Sequence, residues 1–458
     1  MKRPENIVVL GSGESGVGAA LLAKRLGMRV FVSDKGSIAP GFRQELASEG
    51  IGFEEKQHSL DRIQAADAVV KSPGIPNSIP MIRQLRDQGM PVWGEMEFAW
   101  RYAGPCRMAA VTGSNGKTTT TELLHHLLLA AGMQVRMGGN VGHAFTRLVA
   151  DDWQSGRQND AERVFVLEIS SFQLEDTETF RPDVALLLNI TPDHLDRYEY
   201  RLERYAAAKF RIAQSQQAGD LFLYNADNPA TTDYLQMHPV TGPEAIGLRQ
   251  PAPANGRFTA AGHTFDLSTA HLKGPHNAFN ALFALTAALR LGAAVQPLQA
   301  ALNSFRPPAH RMEPVGEVGG VQFINDSKAT NVDSVFYALS AMTQPVVWIA
   351  GGQDKGNDYS VLLPLVSEKV KAIVCLGVDN APLYKAFAHL GKDMTAVQSA
   401  EAAVREAAAL AHPGDVVLLS PACASFDLFD NYMQRGDLFR QAVQQLISST
   451  KTSGNVTG

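Results

Sequence analysis

Residues 112–122 read TGSNGKTTTTE and lie between the short apolar run MAAV and the helix-like stretch LLHHLLLAAG. A strand, glycines, a lysine, threonines and a helix in this order are typical of a loop that holds phosphate. Glycine lets backbone N–H groups turn towards an anion, and the N-terminus of a helix adds a positive dipole. The alternative is a plain glycine turn with a threonine cap. We expect instead that Lys117 contacts the outer phosphates and that Thr118 binds Mg²⁺.

The composition excludes several classes of protein. The chain has 458 residues, more than one core normally holds, so we expect two to four domains. A net charge of −5 gives no overall basic field for nucleic acid, and three scattered cysteines indicate neither a disulfide framework nor a paired metal site. No stretch approaches the roughly 18 apolar residues of a membrane span. We therefore expect a cytoplasmic protein, which we take to be a monomer, without a nucleic-acid or membrane partner.

Short apolar strands alternate with helices along the chain, so the predicted fold class is α/β. The pattern starts with NIVVLG, restarts near residue 95 before RMAAVTGSNGKT, and restarts again after PPAHRMEPV. Fully apolar strands such as VFVLE are typical of a parallel sheet that is covered on both faces. We predict three domains, at residues 1–95, 96–307 and 308–447, and a disordered tail at 448–458. We expect four strands in the third domain and irregular or antiparallel structure at 243–265.

Two polar residues follow strands of the predicted second domain. Glu168 ends VFVLE, and a charged residue there lies at the rim where open α/β sheets bind ligands. His194 follows another strand end, between Asp193 and Asp196. A lone histidine is more often structural, but beside a nucleotide and Mg²⁺ it is an equally good metal ligand.

A second glycine motif opens the chain. Residues 11–16, GSGESG, fit the pattern GxGxxG after a strand, and Asp34 ends the next strand. Together they outline a dinucleotide-binding fingerprint. Taken alone, this motif would favour an NAD-dependent dehydrogenase. No group of residues suited to hydride transfer follows it, which argues against that function.

Nine motifs occur in an order that resembles a known family. They are GSNGKTTT, GGNVG, EISSFQLE, NITPDHLDRY, AAAKFRI, HNAFNAL, PPAHRME, NDSKATN and SPACASFD. Together they resemble the Mur ligase family of peptidoglycan precursor synthesis, and the shortened phosphate loop is that family's form. The resemblance implies a Rossmann-like N-terminal domain that binds a UDP-sugar. It also implies a central P-loop ATPase domain with a mostly parallel sheet, and a Rossmann-like C-terminal domain that binds an amino acid.

Within the family, NDSKATN is most similar to the members that add D-glutamate to UDP-N-acetylmuramoyl-L-alanine, and SPGIP and SPACASFD support the same choice. The resemblance implies that ATP phosphorylates the carboxylate of the sugar nucleotide. The amine of D-glutamate would then attack the acyl phosphate, giving an amide, ADP and phosphate. The choice of D- over L-glutamate rests on the resemblance, since no residue pattern reads chirality directly.

The resemblance also implies which residues bind ATP and metal. Two Mg²⁺ ions would be held by Thr118, Glu168, His194 and a carbamylated Lys209. From the sequence alone, Lys209 in RYAAAKFRIA would be a surface lysine. The matched catalytic residues are Lys117, Glu168, His194, Lys209 and Lys328. The matched ATP-binding residues are Gly113, Ser114, Asn115, Gly116, Lys117, Thr118, Thr119, Asn277, Asn280, Arg311 and Asp326.

The remaining matches concern the other two substrates. The residues matched to the UDP-sugar site are Ser15, Asp34, Ser72, Pro73, Gly74, Asn140, Ser170, Gln173 and His194. The residues matched to the reaction centre and D-glutamate are Thr330, Lys355, Ser425 and Tyr432. Glu14 also falls at a contact position, where its negative charge would repel a diphosphate unless the side chain points away.

Two alternatives use the same phosphate loop. A nucleotide-dependent switch protein would need the loop but no acceptor site, and the matched Lys328, Thr330 and Lys355 argue against it. Another ligase of the same superfamily, such as a folylpolyglutamate synthase, would lack the N-terminal domain that carries SPGIP.

Overall fold

The computed structural model describes residues 3–251, 256–272, 274–354 and 356–454. These residues form two compact units, which divide between Arg306 and Pro307. The division lies one residue from the predicted boundary between the second and third domains. The predicted boundary after residue 95 lies inside the first unit, so the three-domain division stays a prediction.

The first unit begins with a five-stranded parallel sheet. Its strands are β1 (Asn6–Leu10), β2 (Arg29–Ser33), β3 (Gly52–Glu54), β4 (Ala68–Lys71) and β5 (Val92–Gly94). Its helices are α1 (Glu14–Arg25), α2 (Pro40–Ser48), α3 (Leu60–Gln64), α4 (Pro80–Asp87) and α5 (Glu95–Tyr102). The strand order is β3-β2-β1-β4-β5, so the direction of winding reverses between β1 and β4. Ligands of open α/β sheets bind at such a reversal, beyond the carboxyl ends of the strands.

The phosphate-loop sequence lies in a second, six-stranded parallel sheet. Its strands are β6 (Arg107–Thr112), β7 (Val135–Gly139), β8 (Val164–Glu168), β9 (Val184–Leu187), β10 (Leu221–Asn225) and β11 (Glu244–Leu248). Their order is β11-β10-β9-β6-β8-β7, which places β6 at the centre. Its helices are α6 (Lys117–Ala130), α7 (Phe145–Gln154), α8 (Ser171–Leu174), α9 (Leu202–Phe210), α10 (Pro229–Met237), α11 (Pro275–Arg290) and α12 (Leu298–Ser304).

The stretch 243–265 is only partly as predicted. It contains β11, a parallel edge strand of the second sheet, and then an antiparallel hairpin of β12 (Arg257–Ala260) and β13 (His263–Asp266). Both faces of β11 are largely exposed or half-buried, so its sequence lacks the apolar run that marks the buried strands.

One hydrophobic core joins the two sheets of the first unit. The same buried cluster contains Ile7 of β1, Phe98 of α5 and Phe165 of β8, and Phe145 packs edge-on against Phe165. Helix α1 packs closely against α7 at Gly18. A Cβ added there would lie 2.7 Å from the Thr146 hydroxyl oxygen. A side chain at Gly18 would therefore push the two helices apart.

A buried carboxyl group lies at this junction. Glu95 begins α5 and is 1% exposed, and its Oε1 accepts hydrogen bonds from the backbone N–H (2.6 Å) and hydroxyl (2.8 Å) of Thr146. Burial disfavours the charged form more than these bonds favour it, and it raises the pKa of Glu95 to about 7.

We expect Glu95→Gln to change how stability depends on pH. Because the folded-state pKa of Glu95 lies above its ordinary value, the unfolded chain loses this proton first as pH rises, and wild-type stability falls between about pH 4.5 and 7. Glutamine does not titrate. The free energy of unfolding of the variant, relative to wild type, should therefore increase by about 2–3 kcal/mol between pH 5 and pH 8. Denaturant titrations at both pH values test this; parallel pH profiles would contradict it.

The second unit holds a six-stranded mixed sheet. Its strands are β14 (Glu313–Val318), β15 (Val321–Asn325), β16 (Val346–Gly351), β17 (Val370–Leu376), β18 (Asp393–Val397) and β19 (Val416–Ala422). Their order is β14-β15-β19-β16-β17-β18, with only β14 antiparallel among the described strands of this sheet. Its helices are α13 (Val332–Ala341), α14 (Leu363–Lys369), α15 (Ala381–Phe387), α16 (Ala400–Leu410) and α17 (Tyr432–Gly454).

The prediction of four strands here was wrong, because it missed both edges of the sheet. The sequence of β14, EPVGEV, contains proline, glycine and two charges, and its register shifts between Pro314 and Gly316. Edge strands tolerate proline, charge and bulges, which remove the apolar signal used to find them. The opposite edge, β18, is likewise mostly exposed or half-buried.

The chain ends in a long helix rather than a tail that is disordered from residue 448. Helix α17 is anchored by buried Phe439 and Val443 and continues through Gly454. Extending an existing helix costs little per residue, and the Ser448 hydroxyl donates to the Gln444 carbonyl. Residues 455–458 lie outside the described part of the chain. In that described part, no helix is long and apolar enough to cross a membrane.

Candidate active site

The phosphate loop connects the central strand β6 to α6. Gly116 has a left-handed backbone (φ +82°), and a Cβ there would lie 2.6 Å from Oδ1 of Asn280, so α11 lies directly against the loop. The other side of the loop is fixed by Asn189, which accepts from the Asn115 backbone N–H (2.8 Å) and donates to the Asn115 carbonyl (3.1 Å). Neighbouring residues on both sides therefore stabilise the shape of the loop.

Lys117 begins α6 and folds back over the loop. Its Nζ donates to the carbonyls of Gly113 (2.8 Å) and Ser114 (2.9 Å), and the side chain lines the cavity described below. Thr118 and Thr119 are almost completely buried at the first turn of α6.

A cavity of about 680 Å³ opens within the first unit, beyond the carboxyl ends of strands from both of its sheets. The first sheet contributes residues 11–15, Asp34 and residues 72–74. Among the predicted site residues, the cavity brings together Ser15, Asp34, Ser72, Pro73, Gly74, Lys117, Asn140, Ser170, Gln173, His194 and Lys209. The structure thus places the predicted UDP-sugar residues and the phosphate-loop lysine around a single space.

Glu168 ends β8 and is buried next to this cavity. Asn140 lines the cavity and donates through Nδ2 to Glu168 Oε1 at 2.8 Å. Immediately afterwards, Ser170 and Gln173 cap α8 reciprocally: the Gln173 backbone N–H donates to the Ser170 hydroxyl, and the Ser170 N–H donates to Gln173 Oε1. Both capping residues therefore have a structural role in addition to the contact predicted for them.

His194 adopts a left-handed backbone conformation (φ +52°), which is uncommon for a residue with a side chain. Its ring packs edge-on against Phe172, with 5.1 Å between ring centres, and its Nε2 lies 3.7 Å from an oxygen of Asp193. Asp193 and His194 both line the cavity.

Lys209 is buried, in contrast to the surface position that its sequence alone suggests. It is 1% exposed, its Nζ donates to the Gly113 carbonyl at 2.8 Å, and it lies 4.5 Å from the centre of the Tyr205 ring. Burial, together with the nearby charge of Lys117, holds the pKa of Lys209 well below its ordinary value. The negative charges of Asp193 and Glu168 oppose this shift of the pKa but do not overcome it.

The side chains available as metal ligands suit a metal ion that takes some of its ligands from phosphate. Among the described residues, no group of three or more His, Cys, Asp or Glu side chains could hold an ion. Mg²⁺ is usually bound by one or two carboxylates together with substrate phosphates and water. Glu168 and the Thr118 hydroxyl fit that pattern.

The side chain of Glu14, in the first glycine motif, points towards α7. Its carboxylate accepts from Arg147 (Nε to Oε1, 2.8 Å) and from the Ala144 backbone N–H (3.1 Å), so its charge is paired at α7. Asp34 accepts at 2.6 Å from both the backbone N–H and the hydroxyl of Ser12. Partial burial opposes its ionisation, but these bonds and one from the Gly36 amide outweigh burial and lower the pKa of Asp34.

In the second unit, the described residues among the predictions lie near the carboxyl ends of β15 and β19. Asp326 is buried and accepts from the Ser420 hydroxyl (2.8 Å), and burial raises its pKa to about 7. Lys328 lies 5.3 Å from the Tyr432 ring centre. Ser425 follows β19 and is buried, whereas Arg311 and Thr330 are half-buried. Lys355 lies outside the described residues.

Sequence analysis missed two residues that shape these sites. Tyr205 lines the cavity four residues before Lys209, a spacing that places both on one helix face and could have drawn attention to it. Arg435 of α17 is 1% exposed and holds the Ser327 hydroxyl (3.0 Å), the Ser327 carbonyl (2.8 Å) and the Cys423 carbonyl (3.2 Å). An arginine on a helix gives no sequence signal of such burial.

Three family models match the chain in consecutive segments. The Mur ligase MurD-like N-terminal domain matches residues 5–94, the Mur ligase middle domain matches 111–288, and the Mur ligase glutamate ligase domain matches 310–423.

Curated relatives match over nearly the whole chain. The UDP-N-acetylmuramoylalanine–D-glutamate ligase of Christiangramia forsetii is 46% identical over 456 residues, covering 96% of this chain and all of the relative. The enzyme of the same name from Cytophaga hutchinsonii is 46% identical, covering 96% and 99%.

Solved structures share the fold at lower identity. The UDP-N-acetylmuramate-alanine ligase MurC of Thermotoga maritima has a TM-score of 0.59 at 19% identity, covering 97% of this chain and 100% of that one. The MurF ligase of the same organism, solved in complex with ADP, has a TM-score of 0.56 at 17% identity, covering 91% and 95%. At these identities the likeness shows the fold alone.

Proposed function

The chain belongs to the Mur ligase family, and from this premise we propose that it joins D-glutamate to UDP-N-acetylmuramoyl-L-alanine in an ATP-dependent step of peptidoglycan precursor synthesis. Two relatives that are named for this reaction support this substrate pair, because this chain matches them over almost their entire length. The observation that carries the proposal is the single cavity. It joins the glycine loop of the first sheet to Lys117, His194 and Lys209 of the second.

The cavity suits a substrate that carries both a diphosphate and a carboxylate. Residues 11–15 and 72–74 line the part formed by the first sheet, and Ser72 Oγ is buried with no hydrogen-bond partner among the described residues. Such a hydroxyl gains from a polar ligand, because a buried polar group without a partner costs free energy. The pairing of Glu14 with Arg147 removes the repulsion that its charge would otherwise exert on a diphosphate.

The reaction needs positive charge where two anions meet. A carboxylate is a poor electrophile, and transfer of the γ-phosphoryl group of ATP to it supplies a good leaving group. Lys117, held at the loop by the Gly113 and Ser114 carbonyls, is placed to offset the charge of the outer phosphates. The incoming amine of D-glutamate then displaces phosphate from the acyl phosphate, forming the amide.

We propose that Thr118, Glu168, His194 and a carbamate on Lys209 hold two Mg²⁺ ions, which when bound would offset phosphate charge. Asn140 supports this assignment, because it orients Glu168 from the wall of the cavity. The burial of Lys209 beside Lys117 supports the carbamate. Carbamylation would replace one of two neighbouring cations with an anion.

We propose that the described residues Arg311 and Asp326 contact the nucleotide. We assign Lys328, Thr330, Ser425 and Tyr432 to the reaction centre and D-glutamate, and extend this by resemblance to Lys355. Support for the described residues in this set comes from their position near the carboxyl ends of β15 and β19, where α/β sheets bind ligands. We further propose that the protein acts as a monomer in the cytoplasm, where ATP and UDP-sugars are available.

Phosphate release from Mg-ATP tests the proposed reaction. We expect release only when UDP-N-acetylmuramoyl-L-alanine and D-glutamate are both present, because the acyl phosphate needs the sugar nucleotide and turnover needs the amine. L-glutamate in place of D-glutamate serves as the matched control and should give little release. ATP turnover that is indifferent to both substrates would reject the ligase assignment and favour a switch or a general ATPase.

A further inference from the structure

Two segments that line the cavity are joined by ion pairs just outside it. The first is the SPGIP loop, residues 72–76, whose Ser72, Pro73 and Gly74 line the cavity after β4. The second is α8, whose Ser171, Phe172 and Gln173 line it after β8. Two acidic residues, Glu175 and Asp176, directly follow α8.

Lys71 connects one of these acidic residues to the loop. It ends β4 and is completely buried, and its Nζ donates to the Ile75 carbonyl at 2.8 Å while pairing with Asp176 at 2.5 Å. Asp176 is also buried and accepts a hydrogen bond from Asn77 at 2.9 Å. A buried pair of this kind is rigid, because separating the charges would leave one of them uncompensated in a poorly solvated site.

Arg197 connects the other acidic residue to the same loop. Its guanidinium donates to both carboxylate oxygens of Glu175, at 3.0 and 2.8 Å. It also donates to the carbonyls of Pro73 (3.1 Å) and Gly74 (3.4 Å). The guanidinium lies 4.3 Å from the Phe172 ring centre, which further fixes its plane.

We propose that Lys71, Arg197, Glu175 and Asp176 form a positioning clamp that fixes the SPGIP loop relative to α8 and thereby sets the affinity for the sugar nucleotide. Three consecutive carbonyls, at residues 73, 74 and 75, accept bonds from its two cations, and such charge-assisted bonds are stronger than neutral ones. Each of the two cations is paired with one of the two carboxylates, so the loop is held by paired rather than isolated charges. The link to the sugar nucleotide rests on the proposed function.

The test compares clamp variants with a matched control. Arg197→Met removes both donors to the loop but keeps a long side chain over Phe172. Lys71→Met/Asp176→Leu removes both fully buried charges together. It also removes the carboxylate partner of Arg86, whose side chain is 40% exposed and can be solvated instead. Arg86→Ala is the control: Arg86 also pairs with Asp176, at 2.9 Å, but among the described contacts it makes none to the loop.

We expect each clamp variant to raise KM for UDP-N-acetylmuramoyl-L-alanine roughly tenfold, the effect of losing one or two bonds to a charged group. KM for ATP should stay within about twofold, because Lys117 and its loop are untouched. Arg86→Ala should change neither. Unchanged KM for the sugar nucleotide, or an equal rise in both KM values, would overturn the proposal.

Hydrogen exchange of the ligand-free protein provides a readout that does not depend on activity. The backbone amides of Ser72, Gly74, Ile75 and Asn77 should exchange faster in both clamp variants than in wild type and Arg86→Ala, with α6 unchanged. If wild type shows no ligase activity, the proposed function fails, but faster exchange confined to this loop still supports the clamp. Unchanged exchange there would contradict the clamp whatever the enzyme does.

Discussion

Replacing Lys209 with arginine is expected to lower turnover by at least about a hundredfold, the usual cost of removing one group that stabilises charge in a transition state. Arginine keeps the positive charge but cannot form the carbamate proposed for Lys209. It also enlarges a side chain that is enclosed by Tyr205 and the Gly113 carbonyl. The substitution should therefore remove the proposed anionic metal ligand and leave two cations beside the phosphate site.

Steady-state phosphate release at saturating substrates measures the effect. Carbon-13 NMR after equilibration with labelled bicarbonate reports the carbamate itself, and its signal should be present in wild type and absent in Lys209→Arg. Lys385→Arg, at an exposed position of α15, is the matched control and should keep both the activity and the signal. Retention of more than half of the wild-type turnover by Lys209→Arg would reject the proposed role.

Glu168→Gln is expected to lower turnover by about a hundredfold or more at fixed Mg²⁺, because it neutralises the carboxylate proposed to hold the first ion. Stability should change little, since the glutamine carbonyl can still accept the bond that Asn140 donates to Oε1. A loss of activity without a loss of stability would therefore show that turnover depends on the charge of this side chain rather than on its shape.

A magnesium titration distinguishes a metal ligand from a merely structural carboxylate. The Mg²⁺ concentration for half-maximal activity should rise in Glu168→Gln and remain unchanged in Glu203→Gln, an exposed glutamate on α9. Thermal unfolding midpoints of the two variants should agree with that of wild type. An unaltered Mg²⁺ requirement in Glu168→Gln would exclude the proposed ligand role.

The parts of the site that depend on local geometry could be predicted from the sequence. Gly113 and Gly116 are needed where the backbone turns at the start of α6. This requirement can be read from a few neighbouring residues in the sequence. The α/β class and the parallel central sheet were confirmed for the same reason: fully buried strands such as β6 and β8 need apolar residues throughout.

The parts that depend on distant residues could not be predicted. Lys209 is buried, and its ammonium group donates to the carbonyl of Gly113, almost a hundred positions earlier. Glu14 turns from the glycine loop because Arg147 lies on a helix of the other sheet. No spacing in the sequence links either residue to its partner. The sequence alone therefore suggested a surface position for Lys209 and left open where the side chain of Glu14 points.

The shared core of the first unit also bears on how such chains can be recombined. The buried members of that core lie between Ile7 and Phe222, and they come from both sheets in turn. Consider a hybrid that takes residues up to about 95 from one family member and the rest from another. Phe98 and Phe145 would then have to pack against core residues from a different parent protein, and interior packing tolerates little mismatch. A crossover after Arg306 preserves that core intact, so the first unit is the natural segment to inherit or exchange as a whole.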